Sequence, residues 1–315
     1  MFRHFNRGHA LVGSATVALA VLLPAGIASA APGKVSGANS STLPANCSLP
    51  FPFRPGNFDR PTRIDNKYLP LVPGTQFVYQ GDVTAGPGTQ PHTIVFTVTD
   101  LTKVIDGVTN RVVHDVDLDN GVVQEAELSL WAQDDDGNVW NLAEYPEEYD
   151  NGKFSGAPSV WATGIDRAQG GIQMLADPKK HLNEIYLQGR APAIDFLDCA
   201  QVAATGGKVD VPAGHFNNVL TTHEFSPLES RTAIQTKDYA PHVGNVRIGA
   251  LNDPEAETLS LTQFKQLSDR QLAAIDEQAR ALDRHGRQIS PVWKQTPPVQ
   301  QGGDDSHGRG GEHNG

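Results

Sequence analysis

The chain has 315 residues, of which 38% are hydrophobic, and 36 acidic residues against 25 basic ones give a formal net charge of −11. Such a chain lacks the surplus of Lys and Arg that neutralises phosphate, so the composition argues against nucleic acid and anionic membrane surfaces as partners. The length suits one large β domain or two small ones.

The N-terminus has the three-part plan of a cleaved secretory signal. Arg3 and Arg7 precede an apolar run from Ala10 to Leu23, and Ala28-Ser29-Ala30 follows it. The run is shorter than the roughly 20 apolar residues that a membrane-spanning helix needs. We therefore predict a signal peptide over residues 1–30, cleavage after Ala30 and a secreted, extracellular protein with no transmembrane segment.

The chain has two cysteines, Cys47 and Cys199. In an oxidising compartment an even pair predicts a disulfide, which here would join the N-terminal arm to the middle of the domain. The alternative, a nucleophile or metal ligand, would need a second sulfur or a histidine at short spacing, and neither cysteine has one.

Turn dipeptides organise the middle of the chain. Residues 31–65 are rich in Pro, Gly and Ser and predict an extended or disordered arm. After it, Asp106-Gly107, Asn120-Gly121 and Asp136-Gly137 separate alternating β-branched runs, as tight hairpin turns do. We expect an antiparallel β domain over 66–267, built from hairpins as a curved sheet or a partly open barrel.

One amphipathic helix is predicted over 268–286. Ser268 and Gln271 form a capping-box pattern, apolar residues recur from Leu272 to Leu282, and Gly286 follows as a stop signal. The apolar stripe should dock on the sheet. Residues 287–315 are of low complexity and predict a disordered tail.

Several stretches, among them "DNKYLPLVPGTQFVY", "WAQDDDGNVW" and "YAPHVG", resemble a family of secreted bacterial proteins with no established activity. The resemblance covers about residues 65–248 and implies an antiparallel β-sheet protein. The chain departs from the family's pattern at Ser129, Leu130, Asn141, Ala143 and His242. These departures imply that part of any polar site shared by the family is lost here.

The acidic turn after Trp131 has two interpretations. Oxygens of Asp134, Asp136 and Asn138 are spaced so that they could bind Ca²⁺, but a complete calcium loop needs a Glu at its twelfth position, where Tyr145 stands. We favour a solvated hairpin tip, with no cofactor, and keep calcium as the alternative.

Two histidines are weak catalytic candidates. His114 precedes Asp115, Asp117 and Asp119, which face Glu125 and Glu127 across a predicted turn, and His223 precedes Glu224. Histidine with carboxylates suits general-base or metal-assisted chemistry. Strand alternation, however, directs each histidine away from its acidic neighbours.

The sequence thus favours an exported, non-catalytic binding or envelope-associated β protein. Four aromatic residues are candidates for a groove that holds a small molecule or glycan, although core packing explains them as well: Trp131, Trp140, Tyr145 and Trp161. The alternative function is a secreted hydrolase, which could be metal-assisted, that uses His114 or His223.

Overall fold

The computed structural model describes residues 44–85, 88–229, 232–253 and 256–303. The predicted signal peptide with its cleavage after Ala30, the first part of the arm and residues 304–315 of the predicted tail lie outside the described residues. Among the residues that are described, no helix is long and apolar enough to cross a membrane.

The described residues form fifteen strands and one α-helix. The helix, α1, spans Asp269–Ile289. The strands are β1 Thr75–Ala85, β2 Gly88–Ile105, β3 Val108–Asp119, β4 Val122–Gln133, β5 Val139–Asp150, β6 Lys153–Gly156, β7 Trp161–Ala162, β8 Gln169–Met174, β9 Ile185–Ala191, β10 Phe196–Val211, β11 Gly214–Phe225, β12 Ile234–Ala240, β13 Gly244–Leu251, β14 Glu257–Gln266 and β15 Gln300–Gln301.

Twelve strands close into an antiparallel barrel. They pair in the order β1-β14-β13-β12-β11-β10-β9-β8-β5-β4-β3-β2, and β2 pairs back onto β1. The prediction of a mainly antiparallel β fold is confirmed, but the curved sheet or partly open barrel is corrected to a closed one. Closure depends on β1 pairing with β14, and local turn signals carry no information about a partner so distant in sequence.

Two of the three predicted hairpin turns have the backbone conformation that their residues predict, whereas in Asp136-Gly137 only the glycine has a positive φ, of 94°. Asp106 and Gly107 have φ of 46° and 82°, and Asn120 and Gly121 have φ of 50° and 78°. Two successive positive φ values are typical of the tight turns whose twist matches that of paired strands. These two turns set the register of β2 with β3 and of β3 with β4.

The described part of the N-terminal arm packs on the barrel. The predicted disulfide between Cys47 and Cys199 is present. Cys47 and Leu49 contact an apolar cluster on the outer face of the sheet that includes Leu187 and Phe225. The disulfide therefore fixes the arm at the point where it already buries apolar surface.

The residues that directly follow the arm lie at one end of the barrel, which we call the capped end. Asn66 Nδ2 donates to the carbonyl oxygens of Gly137 (2.9 Å) and Leu175 (3.2 Å), and Tyr68 Oη donates to the carbonyl of Asn218 at 3.4 Å. The turns from β4 to β5 and from β12 to β13 are at this end, whereas the turn from β3 to β4 is at the opposite end.

Helix α1 docks on the outer face of the sheet. Ser268 and Gln271 form the capping box that the sequence predicts. The helix does not stop at Gly286 but continues to Ile289. A Cβ at Gly286 would lie 2.5 Å from Tyr145 Cζ and 2.8 Å from Trp293 Cδ1, so this glycine permits a close approach and does not end the helix.

A buried ion pair holds the helix and the residues that follow it. Lys103 Nζ on β2 donates to Asp283 Oδ1 at 2.7 Å, and Trp293 Nε1 donates to the same oxygen at 2.9 Å. The Trp293 side chain is 0% exposed and stacks on Tyr145, with ring centroids 5.1 Å apart. Burial lowers the pKa of Lys103 to about 8, although Asp283 opposes this shift.

The packing of Trp293 corrects the predicted tail over residues 287–303. The backbone N–H of Val299 donates to Asp283 Oδ2 at 3.2 Å, and β15 pairs with β2 through Gln300 and Gln301. Low-complexity composition predicts disorder because such a segment cannot form a core alone. Here the barrel and α1 supply the buried surface.

Trp293→Ala should lower the free energy of unfolding by about 3–5 kcal/mol, because it removes a fully buried aromatic side chain. Lys294→Ala, the exposed neighbour, is the matched control and should change the free energy of unfolding by less than about 0.5 kcal/mol. Denaturant titration measures both. Equal stability of the two variants would show that the segment after α1 does not pack.

Candidate functional site

The inner face of the barrel carries a group of carboxylates. Cross-strand pairing places Asp115 opposite Glu127 and Asp117 opposite Glu125, and it places Asp119 opposite His92. We call the following six residues the acidic wall: Asp115, Asp117, Asp119, Glu125, Glu127 and Glu257. The wall begins midway along the lumen and extends away from the capped end.

His92 is the base that lies within the acidic wall. Its Nδ1 is 2.7 Å from Asp119 Oδ1, and its Nε2 is 3.1 Å from Glu257 Oε1 and 3.9 Å from Asp117 Oδ2. Burial alone would lower the pKa of His92, but the hydrogen bond to Asp119 and the ion pair with Glu257 outweigh it and raise the pKa to about 10. His92 is therefore a buried imidazolium at neutral pH.

Several carboxyl groups of the wall hold protons more tightly than usual. Burial raises the pKa of Asp117 to about 7, with His92 opposing the shift and Glu257 adding to it. The pKa values of Asp115 and Glu125 lie well above the usual range because of burial and neighbouring carboxylates. Among the described residues, the imidazolium of His92 alone does not neutralise the six carboxyl groups of the wall, so proton uptake is one way in which the fold tolerates them.

A second polar group, which we call the tyrosine cluster, lies on the β9 to β13 side of the lumen. Lys237 Nζ donates to Glu224 Oε2 at 2.6 Å, and Tyr239 Oη donates to Glu224 Oε1 at 3.3 Å. Tyr186 belongs to the same cluster, since burial and then the Glu224 charge raise its pKa. Gln235 Nε2 donates to Glu257 Oε2 at 3.0 Å and so joins the two groups.

Some buried polar atoms of the lumen have no hydrogen-bond partner. Asp115 Oδ1 and Tyr186 Oη are two of them, although Asp115 is 3% exposed and Tyr186 is 2% exposed. Both amide atoms of the fully buried Gln188, two residues after Tyr186, are also unpaired. Buried polar groups in native proteins nearly always have a partner, so these atoms need an explanation.

The first histidine candidate faces away from the lumen. His114 lies on the outer face of β3, opposite Thr97 and Leu128, and is 5% exposed. Burial lowers its pKa to about 4, so it is neutral at physiological pH. As alternation predicts, it does not join Asp115, Asp117 and Asp119.

The second candidate pair is divided between the two faces of β11. Glu224 lies in the lumen with Lys237, whereas His223 points outward and is half-buried. Burial lowers the pKa of His223. The structure therefore does not bring His223 and Glu224 together.

The four aromatic candidates do not form one groove. Trp131 and Trp161 face the lumen: Trp131 packs against Phe96, and Trp161 Nε1 donates to Glu144 at 2.9 Å. Trp140 packs on aromatic residues of the arm, and Tyr145 lies under Trp293. A ligand in the lumen could reach only the first two.

The acidic turn is a hairpin loop held by its own side chains. Asp134 is 6% exposed and accepts hydrogen bonds from Asn138 N (2.8 Å), Asn138 Nδ2 (2.9 Å) and Trp140 Nε1 (2.8 Å). Asp136 accepts one from Asn57 Nδ2 of the arm at 3.0 Å. Asp134 is thus a buried anchor, whereas the sequence predicts a solvated tip.

No group of three or more His, Cys, Asp or Glu residues within the described ranges is arranged to hold a metal ion. The calcium alternative for Asp134, Asp136 and Asn138 stays a prediction that calcium titration can test.

Sequence reasoning missed His92, Glu257, Tyr186 and Lys237. His92 alternates with Ile94 and Phe96 in "HTIVF", a pattern that could have placed it on the buried face of β2. Its partner Glu257 is on β14, and nothing local to either segment signals their contact.

Fold and lumen together define a closed antiparallel barrel with a charged interior. No protein-family model matches the chain, and no curated protein matches it. One similar solved structure is described as an exported protein with a YmcC-like fold from Bacteroides fragilis NCTC 9343. It is 16% identical, with 64% of this chain and 99% of that chain covered and a TM-score of 0.38.

The second similar structure is described as a lipoprotein from Parabacteroides distasonis ATCC 8503. It is 14% identical, with 64% of this chain and 99% of that one covered and a TM-score of 0.36. The disulfide fits a compartment outside the reducing cytoplasm. TM-scores this low carry no argument about activity.

Asp134→Ala should lower the free energy of unfolding by about 1–3 kcal/mol, because it leaves the buried Trp140 Nε1–H without an acceptor. Asp136→Ala removes an exposed carboxylate of the same loop and should cost less than about 1 kcal/mol. Calorimetry in chelator gives both values. A larger loss for Asp136→Ala, or a calcium-dependent rise in melting temperature that Asp134→Ala abolishes, would favour the calcium interpretation.

The melting temperature should fall as pH rises from about 5 to 9. Two groups with raised pKa values bind more protons in the folded state than in the unfolded one: Asp117 between its ordinary pKa of 3.8 and about 7, and His92 between 6.5 and about 10. They outnumber His114, whose lowered pKa of about 4 acts in the opposite direction below about pH 6.5. Stability from both groups is thus present at low pH and lost on raising it. Asp117→Asn should flatten the lower part of the profile, and Asp82→Asn, which removes an exposed carboxylate on β1, should not. A melting temperature that rises across this range would contradict the assignment.

Proposed function

We propose that the protein is a non-catalytic binding protein that takes a small polar ligand, such as a glycan or metabolite, into the lumen of its barrel. The observation that carries this proposal is the buried hydroxyl of Tyr186, which has no hydrogen-bond partner. The strand register places Tyr186 on the same face of the sheet as Glu224, through Ala200. A ligand that accepts or donates a hydrogen bond there would satisfy it.

The size of the barrel supports the proposal. Barrels of about eight strands are wide enough to hold one small ligand, and the diameter grows with strand number. This barrel has twelve strands in its ring. On the inner face, the buried side chains of Trp131 and Trp161 lie on the same side of the sheet as the polar groups, and apolar and polar groups together are the mixture that small-molecule sites use.

The tyrosine cluster has the fixed side-chain positions of a preorganised binding surface. Thr222 Oγ1 donates to Glu224 Oε1 at 3.1 Å, beside the bonds from Lys237 and Tyr239. Because three donors hold the Glu224 carboxylate, its position is fixed. The hydroxyl of Tyr186 makes no such bond.

The hydrolase alternative has less support. Its candidate histidines, His114 and His223, lie on the outer face and are separated from the lumen carboxylates by the wall of the barrel. A general base must be within hydrogen-bond reach of the proton that it takes. These two histidines do not meet that condition for a substrate in the lumen.

Tyr186→Phe provides a test with two readouts. Without ligand, the variant should be as stable as the wild type or more stable, because the hydroxyl that it loses has no partner. Tyr239→Phe, the matched control, removes a bond to Glu224 and should cost about 0.5–1.5 kcal/mol.

For binding, native mass spectrometry and melting shifts with a panel of mono- and disaccharides, amino acids and amines should reveal a ligand. Tyr186→Phe should weaken its binding. A strongly destabilised Tyr186→Phe protein would show that the hydroxyl is bonded within the fold. Unchanged affinity in this variant would place any ligand elsewhere.

A further inference from the structure

We propose that the acidic wall binds a linear organic polyamine, whose ammonium groups pair with Asp115, Asp117 and the glutamates opposite them. This inference rests on the proposed lumen-binding function and names the ligand class. It concerns a part of the lumen that is separate from Tyr186.

The register of the strands places like charges against each other. Asp115 lies directly opposite Glu127, and Asp117 lies directly opposite Glu125, all on the inner face. Like charges in such positions destabilise a sheet, and burial increases the cost. Folding stability alone would favour apolar or oppositely charged residues here, so the arrangement points to a cationic partner.

Asp115 gives an independent observation. Its side chain is almost fully buried on the inner face, yet Oδ1 has no hydrogen-bond partner. Its carboxylate lies near Tyr79, whose pKa is raised by burial and then by the Asp115 charge. The hydroxyl of Tyr79 is not its donor, because that hydroxyl bonds the carbonyl of Asn245 at 3.0 Å. An ammonium donor in the lumen would satisfy Asp115 Oδ1.

The spacing of the carboxylates fits a chain with several charges better than a single ion. Asp115, Asp117 and Asp119 occupy alternate positions of β3, so neighbouring members are about 6.7 Å apart along the strand. Ammonium groups separated by three or four methylenes have a comparable spacing. In the described residues, no three His, Cys, Asp or Glu side chains converge in a way that suits a metal ion.

The neighbouring strand supplies apolar surface for the methylenes. Ile94 lies opposite Asp117, and Phe96 lies opposite Asp115, both on the inner face of β2. Carboxylates on one strand beside a buried aliphatic and aromatic stripe on the next match a ligand in which charged and apolar groups alternate. His92 and Asp119 terminate the stripe toward the uncapped end.

The test is calorimetric titration of the exported full-length protein, disulfide intact, with spermidine and putrescine at about pH 8, which lies above the raised pKa of Asp117 of about 7. Butylamine, 1,4-butanediol and MgCl2 at constant ionic strength are the comparison ligands. We expect saturable, one-to-one binding of spermidine, weaker binding of putrescine, and no saturable binding of the diol.

Asp115→Asn with Asp117→Asn keeps the shape of both side chains and should weaken spermidine binding at least about tenfold. Asp82→Asn, which removes an outward carboxylate from β1, should leave the affinity within about twofold. If the double variant does not fold, the single Asp117→Asn change is measured instead and should also weaken binding.

Equal affinity in the variant and the wild type would overturn the polyamine proposal, and so would Mg²⁺ binding as tightly as spermidine. If spermidine fails while another polar ligand binds in a manner that depends on Tyr186, the lumen-binding function stands and only its assignment to polyamines falls. Failure of every ligand in both assays would overturn both.

Discussion

The pairing of β1 with both β14 and β2 is the constraint on which the rest of the structure depends. It brings Thr75 to Gln266 on one side and Gln76 to Thr97 on the other. Because both edges of β1 are paired, the ring has no free edge there, and its inner face becomes an enclosed surface. The contact between His92 and Glu257 exists only after this closure, since the two residues lie on either side of β1.

Gly81 makes that contact possible. It lies opposite His92 on one side and Leu259 on the other, and a Cβ at this position would lie 1.9 Å from the carbonyl oxygen of Thr258. A side chain here would force β1 away from β14. The glycine therefore serves both the closure of the barrel and the approach of His92 to the acidic wall.

Two of the places where the protein buries charge differ in whether the buried carboxylates have enough partners, and this difference separates a structural role from a functional one. On the outer face, Asp283 is bonded by Lys103, Trp293 and the backbone of Val299, so its carboxylate is satisfied by groups that must fold together. In the lumen, Asp115 has an oxygen without a partner and a carboxylate opposite it. A buried charge whose hydrogen-bonding atoms all have partners stabilises the fold. A buried charge that lacks such partners is typical of a functional site.

Local chemistry in the sequence predicts the local structure well. Asn120-Gly121 gives a hairpin turn, Ser268 with Gln271 gives the start of α1, and the pair of cysteines gives the disulfide. The packing of Trp293 was not predictable, because the partners of this segment lie on β2, β5 and α1. Only part of the candidate site in the lumen could be predicted from the sequence. Alternation separates His114 from Asp115, but it does not say which face of β3 becomes the lumen.

Protons and organic cations are alternative ways to neutralise the acidic wall. With carboxyl groups such as Asp117 half-protonated near neutrality, a cationic ligand must displace protons from the wall, and binding and titration are linked. The affinity for a cation should then be set by the pH of the compartment as much as by the contacts. Asp115, opposite Phe96 and furthest from His92 along β3, gains most from a ligand, because the imidazolium lies beside Asp119 at the other end of the wall. The position of His92 thus divides the wall into a part that the fold neutralises itself and a part that is left for a partner.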